Sequence, residues 1–170
     1  MGFFDFLKKE ETPRQKTIAL RSPLAGKIVP LEDVPDQVFA GEMMGKGIAI
    51  QPEMREQTVL SPVSGKIVSV FPTKHAVTIR TAEGLELLIH LGLDTVELEG
   101  KGFEALIQDG DTVKVGDELM MVDFPAIDQE GYATVTPLVI TNGSDTLHLD
   151  QVASGEVKAG EELLMMTIKE

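Results

Sequence analysis

The residues of this sequence best suited to chemistry are two histidines, His75 and His90. The chain has 3 histidines and no cysteine, which excludes thiolate catalysis, disulfides, Cys-ligated zinc and iron–sulfur clusters. Two protonated imidazoles repel each other, so in an adjacent pair one stays neutral near neutral pH. A neutral imidazole is a nucleophile that can take up a phosphoryl group. A neighbouring imidazole can then donate an N–H to the phosphoryl oxygens and offset their charge.

The spacing of the two histidines predicts that they meet on one face of a β-hairpin. Residues 81–84 form a plausible four-residue turn, which would place Arg80 opposite Leu85 and His75 opposite His90. Directly opposed residues have Cβ atoms roughly 4.5–5.5 Å apart. A turn one residue longer or shorter would put the two imidazoles on opposite faces. The same register predicts that the histidine pair shares its face with Val77, Ile79 and Leu88.

Other side chains extend or limit the chemistry of this pair. Thr73 lies two residues before His75 and would offer a hydroxyl on the same face. The two histidines could also ligate zinc, although two ligands make an incomplete site. His148 has no comparable context, and we interpret it as structural.

The segments that carry the histidines belong to a β-rich chain. From Thr17 onward, runs of Val, Ile and Leu alternate with Gly, Pro, Asp and Asn, and turn signals recur about every ten residues. This pattern predicts an all-β, antiparallel sandwich or barrel with little helix. A single short helical turn is predicted at residues 102–107. The clearest predicted strands are residues 26–29, 47–50, 76–79, 85–89, 118–122, 134–140 and 163–168.

Two sequence units occur twice in the chain. Residues 22–29, SPLAGKIV, recur as SPVSGKIV at residues 61–68, and residues 115–122, VGDELMMV, recur as AGEELLMM at residues 159–166. In the first unit Pro presets a turn, Gly admits a positive φ, and the apolar residues that follow enter a sheet. The repetition predicts one compact β body made from duplicated elements.

Composition limits the partners of this domain. The chain has 170 residues, with 15 Lys and Arg against 28 Asp and Glu, so its formal net charge is −13. This charge argues against binding nucleic acid, which requires a basic surface. No run of 18 apolar residues is present, and the N-terminus does not resemble a signal peptide. We therefore expect a cytoplasmic protein.

Residues 1–16 differ in character from residues 17–170. Phe3, Phe4, Phe6 and Leu7 have helical spacing and are followed by Lys8 and Lys9. Such a short segment is marginal as an isolated helix, so we expect it to be flexible. Its amphipathic pattern would also suit a peripheral contact of residues 3–7 with a membrane surface.

Residues 73–79, TKHAVTI, followed by residues 86–98, ELLIHLGLDTVEL, resemble the glucose-class enzyme IIA component of the bacterial phosphoenolpyruvate-dependent sugar phosphotransferase system. The core HLGLDTV is close to the phosphorylation-site signature of that family. The resemblance extends over residues 17–170, which would form the enzyme IIA β-sandwich domain. Supporting matches are residues 32–39, 45–50, 61–65, 102–103, 113–117 and 136–142.

The resemblance implies a function as a phosphohistidine carrier. His90 would accept the phosphoryl group through Nε2, His75 would hydrogen-bond it, and Thr73 would hold His75. The donor would be the phosphocarrier protein HPr, and the acceptor a Cys on the IIB domain of a sugar permease. Both partners would dock on one surface, and no metal would be required. The residues that match this surface are Asp36, Val38, Phe39, Met43, Met44, Phe71, Glu86, Leu88, Asp94 and Val96.

Members of this family also regulate other proteins. The unphosphorylated form binds permeases and glycerol kinase, and His75 and His90 could then share a zinc ion with a carboxylate of the partner. A monomer is expected. The N-terminal segment resembles the leader of free-standing members, which favours a separate protein over a permease domain.

Three alternatives were weighed against this interpretation. A biotinyl or lipoyl carrier domain would fit the repeated β units, but the turn after Val122 lacks the Lys that would carry the cofactor. A lysostaphin-like zinc hydrolase would need a His at the position of Leu88. A binding-only regulatory protein would keep the docking surface without phosphoryl transfer, yet His75, His90 and Thr73 are all present.

Overall fold

The computed structural model describes residues 15–143 and 145–169. The prediction of an N-terminal segment with membrane contact through residues 3–7 lies outside the described residues. Within them the chain forms fourteen strands. Their bounds are β1 (Gln15–Arg21), β2 (Gly26–Val29), β3 (Lys46–Pro52), β4 (Glu56–Leu60), β5 (Gly65–Val70), β6 (Ala76–Arg80), β7 (Glu86–His90), β8 (Phe103–Ala105), β9 (Thr112–Val113), β10 (Glu118–Asp123), β11 (Thr136–Ile140), β12 (Leu147–Gln151), β13 (Glu156–Val157) and β14 (Glu162–Lys169).

The strands form three sheets whose inner faces share one core. The largest sheet has eight strands in the order β13-β2-β3-β11-β7-β6-β5-β9, and two three-stranded sheets have the orders β1-β14-β12 and β4-β10-β8. Every pairing between these strands is antiparallel. The core combines fully buried side chains from all three sheets, including Leu20, Ile79, Ile89, Leu119 and Leu163. The predicted all-β antiparallel sandwich is therefore confirmed.

A second, smaller apolar cluster lies on the other face of the large sheet. It contains Ala76 from β6, Leu88 from β7 and Val139 from β11, together with Phe39 from the short helix Gln37–Ala40 and Leu93 from the loop after β7. Alternation along β7 assigns Leu88 and His90 to this face, whereas Leu87 and Ile89 enter the main core. His90 therefore lies on the same face of the large sheet as the small cluster.

The repeated sequence units occupy equivalent positions. The Ser22 hydroxyl donates to the Leu24 carbonyl at 2.6 Å, and the Ser61 hydroxyl donates to the Val63 carbonyl at 2.7 Å. The two turns also bond to each other reciprocally: the Arg21 N–H donates to the Pro62 carbonyl, and the Leu60 N–H donates to the Pro23 carbonyl, both at 3.0 Å. The prediction of a β body built from duplicated elements therefore holds.

Helix is scarce in the described residues, as predicted, but its location differs from the prediction. Two short α-helices, α1 (Gln37–Ala40) and α2 (Phe124–Gln129), are each capped by an aspartate. Two 3₁₀ helices occupy Leu31–Asp33 and Thr95–Leu98. The helical turn predicted at residues 102–107 is wrong, because this segment pairs with β10 as strand β8. No helix among the described residues is long and apolar enough to cross a membrane.

The β domain begins slightly earlier than the predicted boundary after residue 16. Gln15 pairs with Lys169 and Lys16 pairs with Ile168, so both belong to β1. The predicted start at Thr17 was wrong by two residues, because polar side chains at the edge of a sheet give no apolar signal. The chain ends of the described region are thus held together by the pairing of β1 with β14.

Candidate functional site

The two histidines predicted to pair lie side by side at one end of the β6–β7 hairpin. Their ring centroids are 5.0 Å apart and the rings are nearly perpendicular, at 80°. His75 is buried, with 5% of its surface exposed, whereas His90 is partly exposed. The predicted adjacency is therefore found, and His90 presents the more accessible of the two rings.

The register behind that prediction is nevertheless wrong. Arg80 pairs with Glu86, and Ala76, not His75, lies opposite His90. The pairing is shifted by one residue, since Thr81 and Leu85 face each other across the turn: the Thr81 N–H donates to the Leu85 carbonyl at 2.9 Å, and the Thr81 hydroxyl accepts from the Leu85 N–H at 3.1 Å. Val77 and Ile79 consequently face the main core, on the opposite side from Leu88.

His75 reaches His90 because it lies before the strand. Lys74 has a φ of +61°, a left-handed conformation that non-glycine residues seldom adopt. His75 follows it in a bend and precedes the first strand residue, Ala76. The strict alternation of a strand does not constrain His75 there. The Leu91 N–H donates to the His75 carbonyl at 2.7 Å, which ties the two histidine segments together.

The hydrogen bond made by His90 defines which of its nitrogens is free. Nδ1 lies 2.7 Å from the Gly92 carbonyl oxygen. A carbonyl only accepts hydrogen bonds, so Nδ1 carries the proton and donates. In the neutral ring, Nε2 then has an unprotonated lone pair. Gly92 has a φ of +83°, a conformation that suits glycine and brings its carbonyl back toward the ring.

His75 is held by Thr73, as predicted. The Thr73 hydroxyl lies 2.7 Å from His75 Nδ1. Phe71 contacts the same ring edge-on, with centroids 5.4 Å apart. With Nδ1 engaged by Thr73, Nε2 is the nitrogen of His75 that remains available to a ligand.

Both histidines favour the neutral form. Burial, aided by the nearby His90 ring, lowers the pKa of His75 from 6.5 to about 4. Burial also lowers the pKa of His90, although the Gly92 carbonyl and the charges of Asp36 and Asp94 act in the opposite direction. Near neutral pH the pair is therefore uncharged, and the Nε2 lone pair of His90 is not blocked by a proton.

The surroundings of the pair are apolar with two flanking carboxylates. Phe39 packs against His90 with ring centroids 5.1 Å apart. Asp36 caps α1 by accepting from the Val38 N–H at 2.9 Å, which orients the helix that carries Phe39. Asp94 has a φ of +59° and precedes the 3₁₀ helix that follows His90. An apolar surface of this kind excludes water from a reacting nitrogen.

The residues predicted to bind partners divide into an exposed and a buried group. Val38, Met44, Val96 and especially Met43, which is 74% exposed, are large apolar side chains on the surface. Phe39 and Leu88 are buried, at 5% and 4% exposed. Both belong to the small apolar cluster, so neither offers an exposed side chain, and their predicted part in partner binding stays a prediction. Glu86 is partly buried and engages Arg80 in an ion pair.

Sequence reasoning missed the backbone groups of the site. The Gly92 carbonyl and the Leu91 N–H contact the two histidines but have no side-chain signature. The glycine two residues after His90 was the available signal. Among residues 15–143 and 145–169, no three or more His, Cys, Asp or Glu side chains converge on a potential metal site.

Comparison with known proteins gives consistent matches over most of the chain. The family model described as the phosphoenolpyruvate-dependent sugar phosphotransferase system, EIIA 1, matches residues 18–146. A glucose-specific EIIA component of Halalkalibacterium halodurans is 47% identical over 161 residues, covering 95% of this chain and 91% of the relative. One from Oceanobacillus iheyensis is 44% identical over 163 residues, covering 96% of each.

A solved structure gives the same result. The glucose permease IIA from Mycoplasma capricolum superimposes with a TM-score of 0.81 at 39% sequence identity, covering 88% of this chain and 96% of that one. The fold, the site and these matches together define a phosphoryl-carrying component of a sugar phosphotransferase system. Within that class, the chain belongs to the EIIA 1 family of the phosphoenolpyruvate-dependent system.

Proposed function

We propose that this chain is a glucose-class phosphohistidine carrier whose phosphoryl acceptor is His90 Nε2. The observation that carries the proposal is the 2.7 Å hydrogen bond from His90 Nδ1 to the Gly92 carbonyl. This bond leaves Nε2 unprotonated in the neutral ring, with its lone pair available. The names of the relatives, which are glucose-specific EIIA components, support glucose as the sugar. The lowered pKa of His90 keeps this lone pair available near neutral pH.

Two transfers make up the proposed cycle. In the first, the N–P bond of phosphorylated HPr breaks as a new N–P bond forms at His90 Nε2. In the second, that bond breaks as an S–P bond forms with a Cys of a sugar-permease IIB domain. Phosphoryl transfer of this type depends mainly on in-line positioning and on stabilisation of the oxygen charge.

His75 supplies that stabilisation in our proposal. If the Thr73 hydroxyl donates to His75 Nδ1, Nε2 of His75 carries a proton and can donate to a phosphoryl oxygen. The 2.7 Å contact between Thr73 and His75 and the 5.0 Å separation of the two rings support this role. Thr73 is accordingly a positioning residue.

Exposed apolar side chains on and just after α1, whose Phe39 packs against His90, and at Val96 in the segment after His90 support a docking surface beside the pair. Val38, Met43, Met44 and Val96 would contact both HPr and the IIB domain, since the unbranched Met side chains can adapt to different partners. Asp36 and Asp94 flank His90 and raise its pKa through their charge. Carboxylates at this position would attract a basic partner and mainly increase the rate of association.

The decisive experiment combines phosphoenolpyruvate, enzyme I, HPr and this chain, and measures its intact mass at basic pH. We expect the addition of one phosphoryl group that is lost in acid. His90→Ala should abolish the label, whereas the matched control His148→Ala should retain it, because His148 is an exposed side chain on β12 that pairs with Asp150. His75→Gln should accept the label but transfer it poorly to IIB. Labelling of His90→Ala would place the acceptor elsewhere.

A regulatory role is a second part of the proposal. In the unphosphorylated form the same surface would bind permeases or glycerol kinase. The Nε2 atoms of His75 and His90 are the nitrogens left available by Thr73 and Gly92, and they fit two positions of a zinc site that a partner carboxylate would complete. Zinc should then bind this chain weakly alone, and calorimetry on His75→Gln should show that binding removed.

The remaining assignments follow from the same family. We propose a cytoplasmic monomer that needs no cofactor for phosphoryl transfer, with any membrane contact made through residues 3–7. Sedimentation with anionic vesicles, compared between the chain with and without residues 1–14, would test that contact.

A further inference from the structure

The loop that follows His90 is fixed by hydrogen bonds on both of its sides. The Leu91 N–H donates to the His75 carbonyl at 2.7 Å, and the Leu91 carbonyl accepts from the Thr95 hydroxyl, also at 2.7 Å. The Leu93 N–H donates to the Ala133 carbonyl at 3.0 Å. The Leu91 N–H, the Leu91 carbonyl and the Leu93 N–H all belong to the residues on either side of Gly92. These bonds therefore fix the Gly92 backbone independently of its contact with His90.

One peptide unit transmits this constraint to the histidine. The Gly92 carbonyl and the Leu93 N–H belong to the same planar peptide group. Because the N–H side is bonded to Ala133, the carbonyl side is directed away from Ala133 and toward His90 Nδ1. Hydrogen bonds in such a chain polarise one another. The hydrogen bond to the Ala133 carbonyl thereby makes the Gly92 carbonyl a stronger acceptor for the proton on His90 Nδ1.

Thr95 is the side chain that completes this arrangement. It is fully buried at 0% exposure, and its hydroxyl donates to the Leu91 carbonyl at 2.7 Å. A Cβ on Gly92 would lie 2.6 Å from Thr95 Cγ2 and 2.8 Å from the Ala133 oxygen. The methyl group and the hydroxyl of Thr95 therefore confine the Gly92 backbone by contact and by hydrogen bonding, respectively.

We propose that Thr95 is a positioning residue that selects the reactive tautomer of His90. By holding the Leu91–Leu93 backbone, its hydroxyl keeps the Gly92 carbonyl on Nδ1, so that the proton stays there and Nε2 remains unprotonated. Thr95 acts without touching the phosphoryl group. This inference rests on the proposed function only for its effect on transfer, since the tautomer is a property of the unphosphorylated chain.

The chain offers a matched control for this hydroxyl. Thr81 is also buried, and its hydroxyl also bonds a backbone group four residues away, the Leu85 N–H at 3.1 Å. Thr81 closes the turn at the other end of the β6–β7 hairpin, remote from His90. A general effect of removing a buried hydroxyl should appear in both Thr95→Val and Thr81→Val, whereas a tautomer effect should appear in Thr95→Val alone.

The test measures the ¹⁵N and ¹H shifts of the His90 ring at neutral pH in the unphosphorylated full chain. We expect a protonated Nδ1 in the wild type, in Thr81→Val and in Thr95→Ser, which keeps the hydroxyl and loses only the methyl. Thr95→Val, which keeps the shape and loses the hydroxyl, should show a mixture of the two tautomers. Phosphoryl transfer from HPr should slow by about tenfold in Thr95→Val alone, a size typical of residues that orient a reactive ligand.

Each outcome decides the proposal. A pure Nδ1–H tautomer in folded Thr95→Val would overturn it, as would loss of that tautomer in Thr95→Ser. If Thr95→Val does not fold, Thr95→Ala is compared with Thr95→Ser: a mixture of tautomers in Thr95→Ala alone supports the proposal, and the pure Nδ1–H tautomer in both overturns it. A wild-type chain that shows the expected tautomer but accepts no phosphoryl group would instead refute the proposed function.

Discussion

Burial of His75 in its neutral form predicts a specific dependence of stability on pH. The pKa of His75 is lowered to about 4 from its ordinary value of 6.5. Between these two pH values the unfolded chain binds more protons than the folded one, so the free energy of unfolding falls as the pH falls. Above pH 6.5 the contribution of neutral His75 to the free energy of unfolding is fully present. It is lost as the pH falls toward the folded-state pKa.

The magnitude follows from the size of the shift. At about 1.36 kcal/mol per pKa unit, the full contribution of His75 is about 3 kcal/mol. Between pH 7 and pH 5 about 2 kcal/mol of it should be lost, because at pH 5 the unfolded imidazole is almost fully protonated and the folded one is almost fully neutral. This range also stays above the sequence pI of about 4.6, where solubility is lowest.

Urea unfolding of the wild type and His75→Gln at pH 7 and pH 5 measures this contribution. From pH 7 to pH 5, the free energy of unfolding should fall by about 2 kcal/mol more for the wild type than for His75→Gln. His90→Gln should retain most of the effect of His75, because burial and not the His90 charge is the largest cause of the pKa shift. A pH-independent difference between wild type and His75→Gln would refute the reasoning.

Two further predictions concern the loop after His90 and the docking surface. Gly92→Ala should destabilise the chain by about 1–3 kcal/mol in urea unfolding. The φ of Gly92 is +83°, and the added Cβ would lie 2.6 Å from Thr95 Cγ2 and 2.8 Å from the Ala133 oxygen. Unchanged stability would contradict this prediction. Val96→Glu should slow phosphorylation by HPr by about tenfold, because it places a charge on the apolar surface. The control Val152→Glu, at an exposed site just after β12, should not. Equal stopped-flow rates for the two variants would count against the proposed surface.

Sequence predicted the strands well and the turns poorly, for a physical reason. The segments around Ile28, Ile79 and Ile89 are apolar runs bounded by turn residues, and tertiary structure did not alter them. In the β6–β7 hairpin, the Thr81 N–H donates to the Leu85 carbonyl and the Leu85 N–H donates to the Thr81 hydroxyl, and these bonds accompany a pairing of Arg80 with Glu86. Such bonds depend on local geometry that residue type does not encode, so the predicted turn was one residue too short.

The same contrast applies to the site. His75, His90 and Thr73 were predicted because few side chains can perform this chemistry, and the structure brings them together. The adjacency of the rings arises from the left-handed Lys74, not from the predicted strand register. The burial of Leu88 was missed because alternation predicts a face but not whether other segments cover it, here α1 with Phe39 and the loop with Leu93.

The pairing of β1 with β14 has a consequence for synthesis of the chain. Gln15 and Lys169 are neighbours in the sheet, although they are at opposite ends of the described sequence. At roughly 5–20 residues per second, a ribosome needs about 7–30 s to go from the end of β1 to the end of β14. During that interval, β1 lacks the strand with which it pairs. Its sheet can therefore be completed only after β14 has been synthesised, and until then β1 is an unprotected edge open to other chains.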